Sequence, residues 1–359
     1  MQTASAFAPG RVELLGNHTD YNGGVVLSAA IDLGISARGR GREDGKIVLT
    51  SEGIPGVAEA DVAGLEPSGG WSDYPLGVAR VLKDAGFPVG GFSADYSSTL
   101  PLGAGLSSSA AIEVCTAVLL SRLFGFSAGP LDLAKLCRKA ENEFVGVNCG
   151  LLDQVSSIFG KKDHAVFLDC RAETVENIPF PAGVGLLIVH SGVKHALTGG
   201  EYNERREQCF EAARILGVPA LRDATSAQLA GAGMPDLVRR RALHITGENE
   251  RVFAAVGHLR QGDAAAFGKL MTASHGSSMA NFENSTAELD VLVEIACAQD
   301  GVHGARLTGG GFGGAIVALV DLARIDVIAA AVESEYRKRT GHAGQAYRCL
   351  IGDGALSHA

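Results

Sequence analysis

The chain has 359 residues, 46% hydrophobic and 20% charged, with a formal net charge of −9. That apolar content excludes general disorder, and the acidic balance excludes a basic nucleic-acid surface as its main business. Glycine is the outlier, at 48 of 359 residues, about 13% against an average near 7%, without the three-residue period of collagen.

At roughly 150 residues per domain the length predicts two domains or one large one. Val25–Ile35 is apolar and β-branched and reads as a strand, as do Lys46–Ser51 and Gly91–Ser97. Ser72–Ala85 has helical spacing through Tyr74, Val78, Val81 and Leu82. Ser107–Phe124 is a serine run followed by an apolar stretch and stopped by Gly125, the pattern of a helix with both ends marked. Leu131–Phe144 and Gly150–Phe159 read as further helices, and Ala165–Asp169 and Val184–His190 as buried strands. Gly200–Leu216, Leu237–Leu259 and Ala264–Ser278 are helical by pattern, Ala315–Val320 is a strand and Arg324–Arg339 a terminal helix. Strands interleaved with helices without strict alternation predict an α+β fold, with the best boundary near Pro179–Gly183. No apolar run is long enough to span a membrane, and the first ten residues lack the basic start of a signal peptide. The seven cysteines form no CxxC or Cys/His cluster. Zinc and a disulfide framework are therefore not expected, and reduced thiols in a cytoplasmic protein are.

The informative glycines fall in three clusters: Pro9–Gly24, Leu100–Ala111 and Leu307–Ala315. In the second, small residues allow a tight turn that exposes backbone N–H groups, and the serines then open a helix. Amides together with a helix dipole make an anion site. The segment is neither a Walker A loop nor a GxGxxG fingerprint. A generic Gly/Ser turn with a serine cap is the ordinary reading of such residues, but Pro101-x-x-x-Gly105-Leu106-x-Ser108-Ser109-Ala110 is more specific than that.

Pro101–Ala110 resembles the phosphate loop of the GHMP small-molecule kinases, and the third cluster resembles that family's C-terminal glycine motif. Gly10-Arg11-Val12, Gly16 and His18-Thr19-Asp20-Tyr21-Asn22-Gly23-Gly24 resemble the signature of the galactokinase branch. Ala140-Glu141, Cys149–Gln154, Val193–Leu197 and Glu201–Cys209 agree with it. The resemblance runs from about residue 7 to about residue 350 and disfavours mevalonate- or homoserine-type kinases. It implies a two-domain GHMP kinase architecture, with a ribosomal protein S5 domain 2-like half over residues 1–180, a ferredoxin-like α+β half over 181–359, and the active site between them. The implied reaction is ATP-dependent phosphorylation of the anomeric C1 hydroxyl of galactose or a similar pyranose, with Mg²⁺. Sugar and ATP are the implied partners; no nucleic acid or membrane is expected, and a monomer is the favoured state.

The resemblance also implies roles. Asp153 matches the catalytic base, and Arg11 the cation that neutralises charge developing on the phosphoryl group. Pro101, Gly103, Ala104, Gly105, Leu106, Ser107, Ser108 and Ser109 would cradle ATP, and Trp71 aligns with an aromatic near adenine. Ser109 and Glu141 match the Mg²⁺ pair, both hard oxygen donors. Glu13, Asn17, His18, Asp20, Gly150 and Tyr202 match the sugar side, although His18 could equally be structural with both nitrogens satisfied.

Two departures bear on the acceptor. Relatives usually carry Asn at the position of Glu13 and Glu at that of Asn17. That Glu is expected near the sugar C6 hydroxyl, so its loss would relieve repulsion against a C6 carboxylate. Galacturonate, arabinopyranose and a ketohexose in pyranose form therefore stay open beside galactose. In Ser274–Glu283, the relatives' Arg, Asp and Tyr are replaced by Met279, Ala280 and Phe282. A catalytically silent sugar and ATP sensor is disfavoured by the complete serine run and Asp153.

Overall fold

The computed structural model describes residues 2–101, 103–193 and 200–358. Leu102 and the 194–197 part of the Val193–Leu197 stretch lie outside the described residues. Seven strands form the first sheet: β1 (Thr3–Leu15), β2 (Val25–Arg42), β3 (Lys46–Ser51), β4 (Ile54–Asp61), β5 (Gly91–Ser98), β6 (His164–Asp169) and β7 (Thr174–Pro179). Their order is β4-β3-β5-β2-β6-β7, with β1 also paired to β2. Four strands form the second, in the order β11-β8-β10-β9: β8 (Val184–His190), β9 (Val302–Thr308), β10 (Ala315–Asp321) and β11 (Gln345–Cys349).

The ten helices among the described residues are α1 (Asp73–Asp84), α2 (Ser108–Phe124), α3 (Pro130–Ala140), α4 (Leu152–Phe159), α5 (Gly200–Leu216), α6 (Ser226–Gly231), α7 (Asp236–Arg260), α8 (Ala264–Ser277), α9 (Ala287–Cys297) and α10 (Ile325–Thr340). α2 is apolar almost all round and is buried accordingly, against β1 and β2. The period of two in β8 and β10 serves two cores at once. Leu186, Ile188, Val317 and Leu319 pack into the large core of the first sheet, while Leu187, Val189, Ile316 and Val320 pack against α9 and α10. A strand buried on both faces reads as an unbroken apolar run, which is why these two were visible in the sequence. Toward its end the chain returns to the first sheet, where Ile351 bridges Ile31 of β2, and the amide of Gly354 donates to the carbonyl of Gly160, just after α4, at 2.7 Å.

Three differences from the sequence reading matter for the site. The Pro9–Leu15 segment, given no element from the sequence, is the end of β1, with irregular register between Pro9 and Arg11 and between Glu13 and Leu15. Between them the register is regular, so Arg11 and Glu13 share one face, lining a cavity, while Val12 turns into the core. The helix expected over Leu131–Phe144 ends at Ala140 and widens into a π-helical turn over Glu141–Val145, which begins on a buried Glu141. Finally, β1, β4, β7, β9, β11, α6 and α9 were not anticipated.

Candidate active site

Two adjoining cavities lie against the glycine clusters. The larger, about 730 Å³, is lined by sugar-side candidates; the smaller, about 280 Å³, is lined by Pro101 and Gly103–Ser109. Arg11, Gly103, Gly105, Gly309 and Gly310 line both.

Arg11 forks onto Asp153, its Nε donating to Oδ1 at 2.8 Å and its Nη2 to Oδ2 at 2.7 Å, while Nη1 donates to the Gly105 carbonyl at 2.9 Å. The Ser107 hydroxyl donates to Asp153 Oδ2 at 2.5 Å. Ser107 belongs to the small cavity and Asp153 to the large one, so this bond spans the two. The geometry has a local cost: Ser107 sits at φ +57°, a left-handed conformation unfavourable for a residue with a Cβ. Its hydroxyl caps no helix amide, which leaves the first N–H groups of α2 available to an anion in the small cavity.

On the sugar side, Asp20 lines the large cavity, and its carboxyl is raised to about 6 by burial and then by the charges of Glu13 and Asp153. Gly150 approaches it so closely that a Cβ there would fall 2.0 Å from Asp20 Oδ2. Tyr202, on α5, also lines the cavity, and burial pushes its hydroxyl pKa upward. If the Asp20 anion accepts sugar hydroxyls, sugar KM is expected to rise about tenfold per pH unit as pH falls below 6. Asp20→Asn should lack this break, and an unchanged pH profile of sugar KM would rule Asp20 out as the acceptor. Because this pKa lies above the unfolded value of 3.8, the group's contribution to stability is fully present below that value and is lost as pH rises from there through about 6.

His18 is committed to the protein. Its Nε2 lies 2.9 Å from the Gly310 carbonyl, which can only accept, so that nitrogen carries the proton. Nδ1 then accepts from the Tyr21 hydroxyl at 2.8 Å. Burial lowers the ring pKa to about 4, so it is neutral at ordinary pH. Phe282, one of the departing residues, packs on it with ring centroids 4.6 Å apart, whereas Met279 and Ala280 face solvent.

Asn17 is 1% exposed, and both the nitrogen and the oxygen of its amide are hydrogen-bonded within the protein. Nδ2 donates to Glu13 Oε1 at 2.9 Å and to the Gly309 carbonyl at 2.8 Å, and Oδ1 accepts from Asn284 Nδ2 at 2.8 Å.

Glu141 is buried behind the phosphate loop; its Oε2 accepts from Gln154 Nε2 at 2.8 Å and from the Cys149 thiol at 3.1 Å, and it is also hydrogen-bonded to Ser109. Burial pushes its carboxyl pKa up. Among the described residues no group of three His, Cys, Asp or Glu converges as a metal site. Trp71 lines neither cavity; its ring stands edge-on to Tyr96 at 5.9 Å.

Sequence reasoning missed three residues. Arg306 is fully buried and donates from Nη1 to Glu13 Oε1 at 3.0 Å. Asn284 holds Asn17, as above. Glu248 accepts the backbone amides of Gly16 and Asn17, each at 3.0 Å. Burial alone would raise its carboxyl pKa, but Arg251 and other cations outweigh burial and hold it at about 2. Only Arg306 left a signal in the sequence, a lone charge in the apolar run of β9.

Residues 73–161 match the GHMP kinases N terminal domain, 2–40 the galactokinase galactose-binding signature and 255–338 the GHMP kinases C terminal domain. The chain is 40% identical to the galactokinase of Thermotoga neapolitana over 92% of this chain and 93% of that one. With the Thermotoga maritima galactokinase it shares 40% identity over 93% and 94%. The crystal structure of Lactococcus lactis galactokinase complexed with galactose superposes with a TM-score of 0.93 at 35% identity, covering 99% of this chain and 95% of that one. The Methanococcus jannaschii mevalonate kinase, at TM-score 0.72 and 21% identity over 98% of this chain and 99% of that one, shares the fold. With a ligand-sized cavity joined to a phosphate-loop cavity through Arg11, Asp153 and Ser107, the chain belongs to the galactokinase family of GHMP kinases, which are sugar phosphotransferases.

Proposed function

We propose that this protein transfers the γ-phosphoryl group of ATP to the anomeric C1 hydroxyl of galactose. The observation that carries the reading is the Ser107–Asp153–Arg11 contact across the wall between the cavities. In phosphoryl transfer the protein's work is mostly positioning and charge stabilisation. Asp153 takes the proton of the acceptor hydroxyl, Arg11 faces the charge that develops on the phosphoryl group, and the α2 amides with Gly103, Gly105 and Ser107–Ser109 hold the phosphates. Asp20, Gly150 and Tyr202 orient the sugar. The hydroxyl of Ser109 and the carboxylate of Glu141 are hard oxygen donors that fit Mg²⁺, and a cation beside a buried carboxylate offsets the cost of its burial. Mg²⁺ held there would neutralise phosphate charge.

The change of sheet between β7 and β8 supports a division into residues 1–180 and 181–359. A reducing cytoplasm fits the seven free cysteines.

An ADP-release screen over galactose, galacturonate, arabinose, fructose, tagatose and glucose tests the reading. Turnover is expected with galactose. Turnover with another sugar and none with galactose overturns the acceptor, and ATP binding without turnover on any sugar points instead to a sensor.

A further inference from the structure

The acceptor question raised by the sequence turned on a carboxylate apparently lost at position 17. The structure shows where that charge went. Glu13 Oε1 receives both the Arg306 guanidinium, at 3.0 Å, and the Asn17 amide, at 2.9 Å. Position 17 and position 13 are thus direct hydrogen-bond partners, so the carboxylate that the resemblance implies at 17 has a counterpart at 13 within the same pair.

Asn17 lines the same cavity, but both of its amide N–H groups are committed to the protein. Its Nδ2 serves Glu13 and Gly309, its Oδ1 is taken by Asn284, and its backbone amide is held by Glu248. Asn284 is anchored in turn, donating to the Gly310 carbonyl at 3.1 Å. Glu13 differs. It lines the large cavity, and its Oε2 makes no hydrogen bond to the described residues. Arg306 fixes the charge there, since it is fully buried, its Nε and Nη2 have no hydrogen-bond partner among the described residues, and Glu13 is its ion-pair partner. A buried guanidinium without its carboxylate is strongly unfavourable.

We propose that Glu13 is the specificity-determining carboxylate of the sugar pocket, held by Arg306 and by the Asn284–Asn17 amide chain, and that the pocket therefore accepts a neutral pyranose and rejects a uronate. The free oxygen accepts a sugar hydroxyl, as an acceptor-only group must. A sugar carboxylate meets the same oxygen as like charge, with Asp20 and Asp153 adding to the repulsion, and the mismatch is felt as discrimination between substrates. Asn17 is a positioning residue that acts through Glu13. The inference rests on the sugar-kinase reading and deepens it.

The exchange makes a closed test. Glu13→Asn removes the carboxylate and strands Arg306; Asn17→Glu places two carboxylates in direct contact; the double variant E13N/N17E restores one acid and one amide. Each single variant is expected to lose about 100-fold in kcat/KM for galactose, and the double to return to within about tenfold of wild type. Double-variant losses equal to the product of the two singles would overturn the pairing. Thermal melting follows the same cycle, so a single variant that folds poorly leaves the comparison of double with wild type decisive. Glu13→Gln, close to isosteric, is expected to raise the galacturonate-to-galactose ratio of kcat/KM at least tenfold; an unchanged ratio, or efficient turnover of galacturonate by the wild type, overturns the proposal while leaving the sugar-kinase reading intact. If the wild type phosphorylates another neutral sugar, the cycle is measured with that sugar. If it phosphorylates none, the sugar-kinase reading fails, and galactose binding by calorimetry carries the cycle; no binding to the wild type overturns the proposal as well.

Discussion

Asp153→Asn is expected to lower kcat by about three orders of magnitude while leaving both KM values within a few-fold of wild type. The carboxylate receives donors from residues of both cavities: two guanidinium N–H groups of Arg11 at 2.8 and 2.7 Å and the Ser107 hydroxyl at 2.5 Å. Asparagine keeps one oxygen for Arg11 or Ser107 but turns an amide donor toward the other. It also loses the negative charge that takes up a proton as the acceptor hydroxyl attacks. Because the interaction is made by the reacting group, the loss falls on kcat rather than on binding. Stability should suffer only modestly: the Asp153 side chain is 24% exposed, so water can partly replace the lost ion pair, and a Tm fall of a few degrees is expected. Steady-state kinetics with a thermal melt checks both parts. A kcat within tenfold of wild type would remove Asp153 from the proton-transfer step.

Gly150→Ala should act on the other half of the reaction. The added Cβ would lie 2.0 Å from Asp20 Oδ2 and 3.0 Å from its Cγ. The atom in the way is the end of a side chain, so the protein can accommodate the methyl by swinging the Asp20 carboxylate by an ångström or more. Folding survives this; sugar orientation does not. A misplacement of about 1 Å in a positioning group can cost about 100-fold, and sugar KM is expected to rise by that factor. ATP KM and Tm should stay close to wild type, since the three atoms nearest the added methyl all belong to the Asp20 side chain. A sugar KM unchanged in the alanine variant would mean that Asp20 does not set the sugar's place.

How much of this could be read from the sequence varied with the range of the interaction. β3 and β8 have the predicted limits because each is a short apolar, β-branched run bounded by glycine turns, and α2 begins one residue later than expected because Ser107 is diverted to Asp153. β1 was hidden because proline and glycine interrupt it; only its long pairing with β2, from Thr3 opposite Arg40 to Leu15 opposite Leu27, makes it a strand. The π-helical turn that begins at Glu141 has no pattern of its own, since it differs from an α-helix only in backbone winding.

The same contrast runs through the site. The Leu100–Ala111 segment is contiguous, and the anion binding expected of it would come from backbone amides and a helix terminus, so residue order alone suffices to propose it. The sequence also supplied the inventory of acids and bases, including Arg11, Asp20 and Asp153. It did not settle which were paired and which were free. His18 stood open between sugar contact and structure until both nitrogens proved engaged, by Tyr21 and Gly310. The substitution at Asn17 looked like a lost charge. Only the tertiary structure, by bringing Arg306 and Asn284 to Glu13 and Asn17 from more than 260 positions away, showed a carboxylate one hydrogen bond from that amide. Local backbone geometry is encoded in neighbouring residues; the electrostatics of a buried pocket depend on distances across the fold.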